Sequence, residues 1–171
     1  MRTCIILQAR LDSTRLPNKV IFAINEKPLI ITLLKRLHHS KNVDEIITAI
    51  PATKINDKLA KVLKKYKYKY YRGSEKNVLE RYYYAAKKIK ANIIVRITSD
   101  CPLVDPEMID KFLEIFKEKK IDYLSNTNPP TYPDGLDIEI FSFNALRKCF
   151  LKAKSNYDKE HVTPFIKKSK L

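Results

Sequence analysis

The sequence predicts an α/β protein built on a mostly parallel sheet, and three observations carry that prediction. Apolar runs of strand length alternate along the chain with segments whose apolar residues recur at helical spacing. The first apolar run, Cys4 to Leu7, leads into a loop rich in Arg, Lys, Ser and Thr, and a helical pattern follows. The β-branched run Ile93 to Ile97 ends at Thr98-Ser99-Asp100, polar residues suited to the ligand crevice beyond the carboxyl ends of such strands.

In chain order, Cys4-Ile5-Ile6-Leu7 is strand one, a buried apolar run near the N-terminus. Pro28 suits the first turn of a helix, and Leu29, Leu33, Leu34 and Leu37 keep helical spacing after it. Glu45 to Ile50 is strand two, stopped by Pro51, and Ile55, Leu59, Val62, Leu63 and Tyr66 form the next helical stripe. Tyr66-Lys67-Tyr68-Lys69-Tyr70-Tyr71 alternates with period two. Basic residues interleaved with aromatics can mark a single-strand nucleic-acid platform. Directly after an amphipathic helix, however, the run fits better as a strand with tyrosines on one face and lysines on the other.

Arg72-Gly73-Ser74-Glu75 reads as a loop, and Val78, Leu79, Tyr82, Ala86 and Ile89 as a third helix. Ile93 to Ile97 is a strand near the sheet centre. Asp105 and Pro106 read as N-cap and first residue of a helix carrying Ile109, Phe112, Leu113 and Phe116. Ile121 to Leu124 is a further strand, Asn126 to Gly135 a polar, proline-rich loop, and Leu136 to Phe141 a returning strand. Ala145, Leu146, Cys149, Phe150 and Ala153 give the last helix stripe. Both glycines of the chain, Gly73 and Gly135, fall in loops on this reading.

With 171 residues, no internal repeat and no low-complexity linker, the chain is read as one domain over 1–171. No apolar run approaches the roughly 18 residues of a membrane span, and the first residues lack the apolar core and cleavage site of a secretory signal. Cys4, Cys101 and Cys149 are widely spaced, which argues for a cytoplasmic protein and against a disulfide scaffold or zinc site. The net charge of +15 permits a nucleic acid, an acidic surface or a polyanionic small substrate. The lysines, though, are spread over the polar faces of amphipathic segments, as a solvated surface would have them.

Four constellations carry chemistry. Arg10, Arg15 and Lys19 place three fixed positive charges in the loop after strand one, where a triphosphate carries about four negative ones. Asp100, at the tip of a central strand, faces that loop and could hold Mg²⁺, which takes one or two carboxylates plus phosphate oxygens; the alternative is a turn or capping aspartate. Asp137 and Glu139 lie two apart and share a face of a strand, which is costly unless a cation or polar ligand lies between them, the alternative being a solvent-facing edge. His161 stands alone near the C-terminus, whereas His38 and His39 sit at a helix end. No Walker loop, GxGxxG or nucleophile triad occurs.

Gln8 to Lys19, Arg72 to Glu75 with Val78 to Tyr82, Val95 to Leu103, Pro133 to Glu139 and Glu160 to Pro164 together resemble the cytidylyltransferases of acidic-sugar activation. That group holds the acylneuraminate and 3-deoxy-manno-octulosonate enzymes, and the chain is most similar to its spore-coat polysaccharide branch. The resemblance implies a Rossmann-like three-layer sandwich of the nucleotide-diphospho-sugar transferase type, and the reaction of CTP with an acidic sugar to give CMP-sugar and pyrophosphate. It implies a nucleotide site of Leu7, Ala9, Arg10, Ser13, Arg15, Lys19, Arg72, Gly73 and Ser74, with Mg²⁺ on Asp100. Arg15, Lys19 and Asp100 would act in the transfer, and Asn126, Asp137, Glu139 and His161 would face the sugar.

Asn18, Glu26 and Ser99 stand where the family usually has glycine; Asn accommodates a left-handed backbone, Glu26 and Ser99 less readily. Relatives continue past the Glu-His-Val-Thr stretch into a segment with another aspartate, so a single nucleotidyltransferase domain without that segment is expected. Expected partners are CTP and an acidic sugar, with a homodimer allowed and neither membrane nor nucleic acid. Two other functions fit less of the chain: a truncated nucleotide-binding module with little turnover, and a basic nucleic-acid-binding protein.

Overall fold

The computed structural model describes residues 1–169. The chain runs through β1 (Thr3–Gln8), a short ribbon of β2 (Ala23–Ile24) and β3 (Lys27–Pro28), α1 (Leu29–Leu37), β4 (Glu45–Pro51), α2 (Asp57–Lys65) and β5 (Tyr70–Gly73). It continues through α3 (Val78–Lys88), β6 (Ile93–Thr98), α4 (Pro106–Glu118), β7 (Tyr123–Ser125) and β8 (Glu139–Ser142). Three helices close it: α5 (Phe143–Lys152), α6 (Asn156–His161) and α7 (Pro164–Lys168).

Six strands form one sheet in the order β5-β4-β1-β6-β8-β7. The four on the β5 side are mutually parallel, and β8 is antiparallel to both of its neighbours. Period-two alternation of β1 divides the core. Ile5 and Leu7 join the residues of α1, α2 and α4 on one face, while Cys4 and Ile6 join those of α3, α5 and α7 on the other. This is the α/β protein with a mostly parallel sheet that the sequence predicts, in the three-layer form that the family resemblance implies. Because helices cover both faces of β1, all four of these residues are fully buried, which explains a continuous apolar run in place of an alternating one.

The cap predicted at Asp105 is present, and two caps that were not predicted, Asn77 and Ser142, join it. Asp105 accepts the Glu107 N–H at 3.0 Å with Pro106 behind it, and the Asn77 and Ser142 side chains cap α3 and α5. The Tyr/Lys run departs from expectation. Tyr66 closes α2, Lys67 turns left-handed with φ 61°, and the strand begins only at Tyr70. Tyr66, Tyr68 and Tyr70 pack against the core, and Tyr68 stacks on His38 at 5.6 Å. Their rings therefore serve packing, not a base-stacking platform.

Other boundaries shift as well. Gly73 ends β5 instead of lying in a loop; a Cβ there would come within 2.8 Å of the Tyr71 ring and 3.2 Å of Arg81 Cγ. The strand expected from Leu136 starts at Glu139, and the one expected from Ile121 starts at Tyr123. The β2–β3 ribbon, with Asn25 and Glu26 at φ 47° and 64°, was not anticipated, nor were α6 and α7. Of the three positions where the resembled family favours glycine, Asn18 (φ 60°) and Glu26 are left-handed. Ser99 has no positive φ, so a side chain there carries no backbone penalty.

Candidate functional site

From β1 the chain crosses to β4 on one side, whereas β6 pairs with β1 on the other. The strand order reverses between β1 and β6, and the carboxyl end of such a switch point is where ligands bind in open α/β sheets. Gln8 and Thr98 end the two strands in register. A cleft of about 280 Å³ opens just beyond them. Arg10, Ser13, Arg15 and Lys19 line it from the loop after β1, and Thr98, Ser99 and Asp100 line it from the end of β6.

The loop is shaped by where its apolar residues go. Leu11 and Val20 are each 1% exposed, and Arg10, Arg15 and Leu16 are left outside. The buried Leu11 N–H donates to Asn56 Oδ1 at 3.0 Å, and Asn56 Nδ2 donates to Thr53 Oγ1 at 2.8 Å. The Asn18 N–H donates back to Leu11 O at 2.9 Å, and the left-handed Asn18 starts a 3-10 turn that delivers Lys19 into the cleft. Lys19 Nζ sits 3.3 Å from Asp100 Oδ2. Burial works against the Asp100 charge, but Thr98 and Lys19 outweigh it and hold the carboxyl below its ordinary range.

Among the described residues no group of three or more His, Cys, Asp or Glu could hold a metal ion by itself. Mg²⁺ does not require one, since it takes one or two carboxylates and completes its shell with phosphate and water. An ionised, half-exposed Asp100 beside a polycationic loop fits that chemistry.

A second cleft, of about 230 Å³, adjoins the first and shares Thr98 with it. Arg96, Asp137, Glu139, His161 and Lys167 line it. Glu139 is 4% exposed and takes Arg96 Nη1 at 2.5 Å, the Tyr123 hydroxyl at 2.6 Å, the Thr163 hydroxyl at 2.7 Å and Lys167 Nζ at 3.1 Å. Burial alone would raise its pKa, but these partners reverse the sign and keep it below the ordinary range. The solvent-edge alternative for this acid is thereby excluded, and the cation that offsets its burial comes from the protein. Asp137 is different. Burial and repulsion from Asp134 and Glu139 raise its pKa, only partly opposed by Arg96. His161 lies on the rim, its ring 4.5 Å from that of Tyr157.

The structure thus gathers Ala9, Arg10, Ser13, Arg15, Lys19 and Asp100 at one cleft and Asp137, Glu139 and His161 at the next. It does not bring in the others. The Leu7 side chain is in the core, and Arg72 donates to Thr53 O and pairs with Asp57 at 2.6 Å. Gly73 is a strand residue under Tyr71, and Ser74 Oγ accepts the Asn77 N–H. The buried Asn126 donates to Leu136 O and accepts from Ile138 N–H, so its amide ties the two arms of the proline-rich loop together. Sequence reasoning assigned no role to Gln8, Asn56, Arg81 or Arg96. Arg96 had a signal, since it interrupts an otherwise apolar strand; Asn56 had none, because its partner lies 45 residues away.

A cationic loop that leaves the first strand of a parallel sheet and faces a carboxylate across the switch point defines a nucleotidyltransferase-type α/β protein. The cytidylyltransferase family pattern matches residues 4–171, and the chain belongs to that family. It is 41% identical over 161 residues to an uncharacterised protein of Methanocaldococcus jannaschii, covering 94% of this chain and 65% of that protein. It is 32% identical over 167 residues to the spore coat polysaccharide biosynthesis protein SpsF of Bacillus subtilis, covering 95% and 68%. A solved cytidylyltransferase of Leptospira borgpetersenii superposes with a TM-score of 0.92 at 34% identity, over 97% of this chain and 71% of that one. The chain thus spans about two thirds of the length of these curated relatives. No helix among the described residues is long and apolar enough to cross a membrane.

Proposed function

We propose that the chain transfers the cytidylyl group of CTP to a hydroxyl of an acidic sugar, releasing pyrophosphate, in the making of a surface polysaccharide or glycan. The observation that carries this reading is the switch-point cleft in which Arg10, Ser13, Arg15 and Lys19 face Asp100. Membership of the cytidylyltransferase family supports CTP as donor. The similarity to SpsF, named for spore coat polysaccharide biosynthesis, supports a sugar acceptor. The basic groups of the adjoining cleft, Arg96, His161 and Lys167, suit an acceptor with an acid group. Three buried free cysteines fit a cytoplasmic, reducing setting.

The sugar oxygen bonds to the α-phosphorus as the bond from that phosphorus to pyrophosphate breaks, and the hydroxyl proton leaves to solvent. Such a transfer asks for positioning and charge neutralisation more than for covalent catalysis. Arg15 and Lys19 take the charge that develops on the leaving pyrophosphate, and Arg10 and Ser13 hold the remaining phosphate oxygens. Asp100 would hold Mg²⁺, which when bound neutralises phosphate charge. The test is pyrophosphate release from CTP across octulosonate and nonulosonate acids and neutral hexoses. Release only with an acid is expected; release with neutral sugars, or with none of the panel, overturns the reading.

A further inference from the structure

The two clefts meet at the end of β1. Gln8 and Thr98 are register partners there, Thr98 lines both clefts, and Gln8 lines the first while touching Arg96, which lines the second. A group passing from nucleotide to sugar crosses this boundary.

Arg96 can only donate, so the atom of Gln8 that faces it has to be the amide oxygen. The observed contact is Arg96 Nη2 to Gln8 Oε1, 3.4 Å. The other end of the amide, a nitrogen with two N–H donors, is therefore turned away from Arg96, and no protein acceptor takes it among the described residues. Arg96 in turn is fixed. Its Nη1 is bonded to Glu139, which the Tyr123, Thr163 and Lys167 side chains hold, and its guanidinium lies 5.9 Å from the ring of Tyr82. The Tyr82 hydroxyl donates to Ile6 O at 3.2 Å, back on β1. Groups from β6, β7, β8, α7 and the turn before it thus fix which end of one glutamine is presented to the ligand.

We propose that Gln8 is a catalytic residue of the transfer, its Nε2 donating to a non-bridging oxygen of the α-phosphate, with Arg96 and Glu139 as positioning residues that hold the amide in that sense. This rests on the reading of the chain as a CTP-dependent transferase and adds to it the contact at the reacting phosphorus. Gln8 neither gives nor takes a proton in the step. A neutral donor already held in place needs no reorganisation as charge shifts onto the phosphate oxygens.

The test combines turnover with a signal that needs no sugar. Gln8→Leu is expected to lower kcat on the order of a hundredfold with the KM for CTP nearly unchanged, the size seen when one preorganised donor is removed. Gln8→Asn, one methylene shorter, should lose most of the same rate without loss of polarity. Glu139→Gln should lower kcat by a smaller factor in the Gln8→Leu background than in the parent, a non-additivity that loss of a structural ion pair or of a sugar contact alone would not produce. The Gln8 side-chain amide resonance, identified by its absence in Gln8→Leu, should shift when CTP is added. A chain that binds no CTP overturns both the transferase reading and this proposal. A chain that binds CTP while the Gln8 amide stays unmoved, or a Gln8→Leu variant with the parent kcat, overturns this proposal alone.

Discussion

Lys19 Nζ lies 3.3 Å from Asp100 Oδ2, which ties the loop after β1 to the tip of β6 across the switch point. The Asp100 side chain is 45% exposed, so the pair contributes at most about 1 kcal/mol to stability. Asp100→Asn should accordingly leave the melting temperature close to that of the parent. Its effect should fall on the cation, because an amide lacks the charge Mg²⁺ prefers. CTP titrations at several Mg²⁺ concentrations should show affinity that no longer rises with Mg²⁺ in the variant. Undiminished Mg²⁺ dependence would make Asp100 a turn residue.

Arg15 is exposed on the same loop and has no ion-pair partner among the described residues, so it is available to a phosphate. A hydrogen bond to a charged group contributes about 1.5–3 kcal/mol. Arg15→Ala should therefore weaken CTP binding by roughly ten- to a hundredfold, with unchanged melting. Calorimetric titration checks this, and parent-like affinity would remove Arg15 from the nucleotide site.

Asn56 is fully buried and lines neither of the two clefts described above, yet it holds the backbone of the loop through Leu11. Asn56→Ala leaves a buried N–H without a partner, which costs about 1–3 kcal/mol. The urea midpoint should fall accordingly. CTP affinity should fall too, because the cations of the loop lose their anchor. A variant that loses stability but keeps full affinity would show that the loop holds its shape without this bond.

The sheet and its helices were legible because burial on both faces of β1, β4 and β6 writes itself into short runs rich in Ile, Val and Leu, and a cap residue such as Asp105 marks a helix start locally. The cleft of Arg10 to Lys19 and Asp100 was legible for a similar reason, since both stretches directly follow strands. What stayed hidden depends on pairs distant in sequence. Arg72 turns to Asp57 and Thr53, Asn126 closes on Leu136 and Ile138, and Glu139 meets Arg96 43 residues away. Nothing local in those stretches says which partner each polar group will find. The Tyr/Lys alternation misled because period two also arises where a helix ends in a left-handed turn and the next residues pack their rings inward.

Glu139 makes the stability of this protein depend on acid. Its carboxyl is held below the ordinary range in the folded chain, the burial cost being outweighed by Arg96, Tyr123, Lys167 and Thr163. In the unfolded chain it titrates near the ordinary glutamate value of about 4.3. Between those two values the unfolded state binds more protons than the folded one, so stability rises with pH there. The contribution is present above the ordinary glutamate pKa and disappears as pH falls through the depressed one. Glu139→Gln removes the titrating group and leaves Arg96 buried without its counter-charge, which costs about 3–5 kcal/mol where a buried pair is broken. Chemical denaturation at a series of pH values should therefore show the parent well above the variant at neutral pH. The two curves should converge below the ordinary carboxylate range, with the variant's acid limb flatter by one proton. Parallel curves down to pH 2 would show that Glu139 carries the same charge in both states, and that the four contacts around it hold the fold without depending on its ionisation.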